Sequence, residues 1–401
     1  MTLTLHSNRT RTIAELEDLI RDIATQPEDS PIGLIGQHYV DSDYFEHEKR
    51  TYLKDGWHCV GRADELQKPG DFKTRYLLDE PLIIARGKDR IRALSNVCRH
   101  RGMPLAKGEG NAKRFVCSYH AWAYGLDGDL LRAPRMKNAG FDAKDCKLPE
   151  FHCVEKFGFV YVCLADHAPD LDANLAELTK LLEPYEPENY RVVHSATETW
   201  KTNWKCLVEN FMEGYHLSVV HPQTLHGYTP TGLCRKGPSG PGFTSYHANY
   251  PADIPSRGTG APGLGDDAKH RSTLFATFPG QVTSISPSLL VSLSILPVAA
   301  GEIEVRWTMS VYGDDLDEDT IQRRIDLWTD VNTEDRLKLE EQWPALSSIH
   351  AIGGPLAADD YEGTIRDFNA WLARSINDHR SSEWTRDPVF DVRGKDGEAL
   401  S

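Results

Sequence analysis

The chain has 401 residues, 40% of them hydrophobic and 26% charged, with a formal net charge of −15; this admits two domains with a sizeable core and argues against nucleic acid as the main partner, because phosphate repels such a surface. The N-terminal stretch lacks the apolar h-region of a signal peptide, and the longest apolar run, Leu289 to Ala300, is interrupted by Ser292, Ser294 and Pro297, so a cytoplasmic protein with no membrane partner is expected. Eight cysteines are scattered along a chain too long to be a disulfide-stapled scaffold.

Residues 1–45 read as a helical arm, in which Ile13, Leu16, Leu19 and Ile20 recur at helical spacing. Residues 46–165 are rich in short strands, with apolar runs at 82–85, 115–117 and 157–164 bounded by Gly, Asp and Pro. This is the texture of a small all-β domain. Within it stand Cys98-Arg99-His100 and Cys117-Ser118-Tyr119-His120, with sixteen residues between His100 and Cys117. Each pair mixes one thiolate with one imidazole. C-x-H…C-x-x-H is the ligand pattern of a Rieske [2Fe–2S] cluster, in which two cysteines hold one iron and two histidines the other. A structural zinc site also uses two Cys and two His, although zinc-finger spacing differs.

The remaining residues, 166–401, change character from about 190. A strand-like stretch at 191–200 leads into a helical stretch at 203–220, and 222–272 is loop-rich with many Pro and Gly. Gly258-Thr-Gly260-Ala-Pro-Gly263 matches a dinucleotide fingerprint only formally, since it follows no strand. No nicotinamide or flavin site is evident. Strands return at 289–296, and Ile303, Val305, Trp307, Met309 and Val311 then alternate strictly with polar residues. Long helices are expected at about 317–345 and 362–377. The order predicts an α+β fold class, a small β domain followed by a curved antiparallel sheet around long helices.

The helical stretch carries a second ligand set. His216 and His221 are five apart and Pro222 ends the helix. A loosened or π-type turn would bring both imidazoles to one metal. Glu213, three residues before His216, is its neighbour on a helix face, with Asn210 close by. On the long helix, Asp335 shares a stripe with Ile325, Trp328, Asn332 and Leu339, where a buried carboxylate is costly unless paired or metal-bound. Two histidines and a carboxylate form the facial triad of non-haem Fe(II) oxygenases, so His216, His221 and Asp335 are the candidate iron ligands. Phe211, Tyr215, Tyr228, Tyr246, Tyr250, Phe275 and Trp307 could build an aromatic cage for a trimethylammonium group, or simply pack in the core.

With these motifs in view, the chain resembles the Rieske non-haem iron oxygenases, in their terminal oxygenase (α) subunit. The resemblance rests on Trp57…Pro69-Gly70-Asp71, on Asn96-Val97-Cys98-Arg99-His100-Arg101-Gly102, and on Cys117-x-Tyr119-His120-Ala121-Trp122. Asn203-Trp204-Lys205…Glu209-Asn210…Tyr215-His216…His221 and Glu334-Asp335…Glu340-x-Gln342 complete it. It implies a helix-grip (START-like) catalytic domain packed with the N-terminal arm. It implies that Cys98, His100, Cys117 and His120 hold a [2Fe–2S] cluster, and that His216, His221 and Asp335 hold a mononuclear Fe(II). It implies an external NAD(P)H-dependent reductase or ferredoxin, a small-molecule substrate, O2, and a head-to-tail homotrimer. In that trimer an acidic residue links the cluster of one subunit to the iron of its neighbour, contacting the second cluster histidine and the first iron histidine. Here these are Glu213, His120 and His216. Most members carry Asp at this position. Glu213 is similar to the branch of carnitine monooxygenase and glycine-betaine demethylase, which implies monooxygenation or N-demethylation of a quaternary ammonium compound. Ring dihydroxylation of an aromatic or aromatic acid is the alternative within the family. A Rieske electron carrier without oxygenase activity is the alternative outside it. Ser118 and Ala121 depart from the Pro and Gly of many relatives.

Overall fold

The structure is a computed structural model that describes residues 10–136, 140–314 and 316–381. The first nine residues of the expected arm lie outside the described residues, as does the end of the chain after 381. Thr12 starts the first helix, Ile13–Ala24, with a capping box in which the Thr12 and Glu15 side chains each accept the other's backbone N–H. Its apolar stripe, Leu16, Leu19, Ile20 and Ile23, is buried. The helix packs against the C-terminal helix Asp359–Ser381.

Two antiparallel sheets carry the rest. The first runs 58–62, 159–163, 150–156, 91–95, 80–86, 71–77 and 109–111 in spatial order, with a small sheet of 115–116, 123–124 and 130–132 beside it. The second runs 190–200, 302–312, 289–299, 281–286, 271–277, 243–249 and 234–236. The strand 243–249 and the start of 271–277 fall in a stretch whose Pro and Gly content masked them in the sequence.

The alternation at 302–312 orients the second sheet. Val305, Trp307, Met309 and Val311 face the helices in the main core, together with Trp204, Phe211, Trp328, Val331 and Leu372. The polar positions from Arg306 to Ser310 are buried as well: Thr308 is 3% exposed and Ser310 is 0%. Their face meets the first sheet, where Arg306 pairs with Glu65 and the Ser294 hydroxyl lies 3.3 Å from Cys59 Sγ. Strict alternation here marks two buried faces of different chemistry, not a wet side.

The expected helix over 203–220 is broken. It runs Trp204–Phe211, stops, and resumes only as Leu217–Val220. At the break Gly214 passes so close to Cys234 that a Cβ would collide with its sulfur. The long helices span Glu318–Leu346 and Asp359–Ser381.

Candidate metal centres

Each cysteine of the first set opens a tight turn. Cys98 N donates to Met103 O at 2.9 Å and Gly102 N to Cys98 O at 2.9 Å; Cys117 N donates to Trp122 O at 2.8 Å and Ala121 N to Cys117 O at 3.0 Å. The turns are near-copies, and both need a left-handed residue: Gly102 at φ 74° and Ala121 at φ 59°. Asn96 staples the first loop, donating to Ala106 O and accepting from the N–H groups of Leu105 and Ala106, each at 2.9 Å.

The four side chains sort into two layers. Cys98 and Cys117 are buried in a core with Phe115, Trp122 and Tyr124. His100 and His120 are exposed, and their Nδ1 atoms face each other at 3.1 Å. His100 is stacked on Trp122 at 4.9 Å. The Tyr124 hydroxyl accepts from Arg99 N at 3.0 Å and lies 3.5 Å from Cys98 Sγ, so its proton can reach that sulfur. Two sulfurs inside and two imidazole nitrogens aimed at one outer point fit a two-iron cluster, with one iron on each side.

The second set converges more tightly. His216 Nε2 and His221 Nε2 are 3.2 Å apart, and Asp335 Oδ1 is 3.6 Å from the first and 3.1 Å from the second. Three donors about 2.1 Å from an ion on one octahedral face lie about 3.0 Å apart, which these spacings approach. No π-type turn is involved. After the break, His216 stands at the head of the short helix and His221 at its end, so one turn of helix separates them.

The other nitrogen of each imidazole is held by a carboxylate. His216 Nδ1 bonds to Glu213 Oε1, and Glu213 Oε2 accepts the backbone N–H groups of Tyr215 and His216, the latter at 3.1 Å. Glu213 and His216 meet through this cap and not along a helix face as expected. His221 Nδ1 lies 2.7 Å from Glu334 Oε2, which also accepts the Thr224 hydroxyl at 2.7 Å. Asn210 donates to Asp335 Oδ1 at 3.3 Å, and its own Oδ1 is buried without a partner among the described residues. Burial pushes both imidazoles toward the neutral form. Glu213 and Asp335 outweigh it at His216, and Asp335 and Glu334 at His221, so both pKa values rise. With Nδ1 protonated and fixed, both Nε2 lone pairs are available to a metal. Glu334 was not singled out in the sequence, where it reads as a surface carboxylate; its place in Glu334-Asp335 was the signal.

Of the two readings of the aromatics, core packing holds for most and no cage is assembled among the described residues; Phe211, Tyr246 and Trp307 lie in the main core. Phe275 lies in the core on the opposite side of the sheet, Tyr215 is 59% exposed, and Tyr228 and Tyr250 flank Arg257.

Comparison with known families matches two domains. A Rieske [2Fe-2S] domain profile matches residues 56–156, and a profile for the ring hydroxylating alpha subunit (catalytic domain) matches 187–378. The chain belongs to the Rieske oxygenase alpha-subunit family. It is 39% identical over 190 residues to the carnitine monooxygenase oxygenase subunit of Escherichia coli (strain K12), covering 46% of this chain and 50% of that one. It is 36% identical over 208 residues to the large oxygenase component of the naphthalene 1,2-dioxygenase system of Pseudomonas fluorescens, covering 49% and 46%. The chain thus spans about half the length of the curated relatives it matches. In fold it is similar to the quaternary ammonium Rieske monooxygenase CntA in complex with L-carnitine, with a TM-score of 0.75 at 23% identity over 90% of this chain and 98% of that one. No helix of the described residues is long and apolar enough to cross a membrane.

Proposed function

We propose that this Rieske oxygenase is a terminal oxygenase of the cytoplasm that takes electrons from an external NAD(P)H-dependent reductase or ferredoxin and hydroxylates a quaternary ammonium compound of carnitine or betaine type. Glu213 carries this reading. It is a glutamate at the bridging position, it holds His216, and it is 8% exposed beside the exposed Tyr215 and Val219. His100 and His120 stand at the surface of the cluster loops, where the partner subunit's Glu213 would meet His120 in a head-to-tail homotrimer.

The chain's residues divide the work. Cys98, Cys117, His100 and His120 would hold the [2Fe–2S] cluster, and His216, His221 and Asp335 the mononuclear iron. Bound iron supplies the redox chemistry with O2. Asn210 positions Asp335, and Glu213 and Glu334 fix the imidazoles. Held by three side chains, the iron would keep open positions for O2 and substrate. The balance is one C–H bond, O2, two electrons and two protons giving one C–OH and one water. On an N-methyl carbon the product loses formaldehyde and leaves the demethylated amine. The likeness to the naphthalene dioxygenase component supports a second reading, ring dihydroxylation, in which both oxygen atoms enter the product.

The test combines iron and acid-labile sulfide assays with product analysis, using a generic reductase and a panel of quaternary amines and aromatic acids. Coupled amine hydroxylation is expected. Product from the aromatic acids alone would transfer the assignment to the second reading, and a colourless protein without sulfide would end both. Glu213→Gln should leave the cluster reducible and slow single-turnover hydroxylation; an unchanged rate would remove the bridge.

A further inference from the structure

Arg257 lies in the loop between the strands Phe243–Asn249 and Arg271–Thr277. Its guanidinium carbon is 4.0 Å from the ring centre of Tyr228 and 5.7 Å from that of Tyr250. Its Nε and Nη2 are buried and meet no hydrogen-bond partner among the described residues. The ring faces attract the charge but supply no in-plane acceptor for a planar fork of N–H donors. Burying such donors unmatched is costly.

A second arginine shares this environment. The groups that act most on Arg324 are Arg257, Tyr228, Tyr250 and Arg323, with no carboxylate among them, and burial together with the like charge of Arg257 lowers its pKa. Arg324 also has a defined relation to the iron site. It precedes Asp335 by eleven residues in the unbroken helix Glu318–Leu346. Eleven residues are three turns, so both project from nearly the same face, about 16 Å apart along the axis. Between them on that stripe stand Trp328 and Asn332, whose Nε1 and Nδ2 are likewise buried without partners among the described residues. Tyr228 belongs to the turn that leaves His221, through Leu225 N to His221 O at 3.2 Å and Tyr228 N to Leu225 O at 2.8 Å. Two unmatched donors, on Trp328 and Asn332, therefore lie between Arg324 and the candidate ligand Asp335 on one stripe of the helix.

We infer that Arg257 and Arg324 receive the carboxylate of the substrate at the outer end of the iron site, so that the enzyme selects molecules carrying an acid group. The inference rests on the oxygenase reading and adds to it the residues that would hold the acid group carried by a carnitine- or betaine-type substrate. A carboxylate offers the lone pairs that the fork lacks and can bind it bidentately. A quaternary ammonium compound without an acid would bring only a second cation to two arginines.

The test is calorimetric titration of the iron-loaded holoenzyme with two matched pairs, trimethylglycine against its primary amide and benzoate against benzamide. The acid of at least one pair should bind about 10- to 100-fold more tightly than its amide, the range of a charge-assisted contact. In Arg257→Gln and Arg324→Gln that preference should fall to near parity, with iron and sulfide content unchanged. Arg257→Lys keeps a cation between the tyrosine rings but not the fork; it should fold as wild type and lose most of the preference. Equal affinity for acid and amide in the wild type, or a preference that survives all three substitutions, overturns the proposal. An arginine-dependent preference without any hydroxylated product would leave the carboxylate site standing and remove the oxygenase reading instead.

Discussion

Glu334→Gln measures how much of the iron affinity depends on the residue behind a ligand. Glu334 Oε2 is 2.7 Å from His221 Nδ1 and takes the Thr224 hydroxyl at 2.7 Å. His221 is 1% exposed, so water is poorly placed to substitute. The contact keeps the proton on Nδ1 and leaves Nε2, 3.1 Å from Asp335 Oδ1, for the metal. Glutamine can accept the same N–H, but a neutral bond is worth about 1 kcal/mol against about 1.5–3 for a charged one. The difference of about 1–2 kcal/mol predicts roughly a tenfold loss of iron affinity for Glu334→Gln. Glu334→Ala, which leaves the buried N–H unmatched, should approach the upper end of the 10- to 100-fold range seen when such partners are removed. Iron would be buffered with a chelator series and mononuclear iron obtained by subtracting cluster iron, fixed from acid-labile sulfide. Visible absorption of the cluster reports that the fold is intact. If both variants bind iron as wild type does, Glu334 is an incidental surface carboxylate and the argument fails.

Tyr124→Phe removes a hydroxyl 3.5 Å from Cys98 Sγ; a bond favouring the reduced cluster by about 1 kcal/mol makes its loss worth about 40 mV toward lower potential, and an unchanged spectroelectrochemical titration would contradict it. Ala121 sits at φ 59°, which costs an L-residue about 1–2 kcal/mol, while glycine's greater freedom in the unfolded chain returns about 0.4–1. Ala121→Gly should therefore raise stability by about 0.5–1 kcal/mol in denaturant titrations, and a lower midpoint would refute the strain. Burial lowers the pKa of His58 to about 4, so the ring stays neutral in the fold while the unfolded chain takes up a proton below about 6.5. Stability is then lost as pH falls from about 6.5 to 4, by up to about 3 kcal/mol. His58→Gln should flatten that part of the urea-midpoint profile, and identical slopes for the two proteins would exclude the cause.

The two candidate ligand sets were legible because metal ligands are few residue types at fixed spacings. The two Cys–His pairs, the pair His216 and His221, and the phase of Asp335 on its stripe all survive projection onto one dimension. What surrounds them does not. Asn203-Trp204-Lys205…Glu209 reads as a family motif without a stated task, and in space it is scaffold. Asn203 Nδ2 ties Tyr39 O at 2.9 Å and Ala300 O at 2.8 Å. Lys205 makes a fully buried pair with Glu48 at 2.7 Å, and the Glu209 carboxylate accepts the Tyr39 hydroxyl at 2.9 Å. Each partner lies more than ninety residues away in sequence, beyond the reach of any periodicity. The broken helix has the same origin, since apolar spacing ran on through 212–216 while the packing of Gly214 on Cys234 stopped the backbone.

The two carboxylates behind the histidines show why residue type alone leaves a role open. Glu213 and Glu334 make the same bond to the same ring nitrogen, and both leave Nε2 to the metal. Their other contacts separate them. Glu334 spends its second interaction on Thr224, inside the chain. Glu213 spends its on the backbone N–H groups of Tyr215 and His216, at the break between two helices, near side chains 59% and 81% exposed, Tyr215 and Val219. Their own exposure does not favour Glu213, since the Glu334 side chain is 30% exposed and that of Glu213 11%. The two exposed side chains beside Glu213, Tyr215 and Val219, are what support proposing the bridge there and not at Glu334.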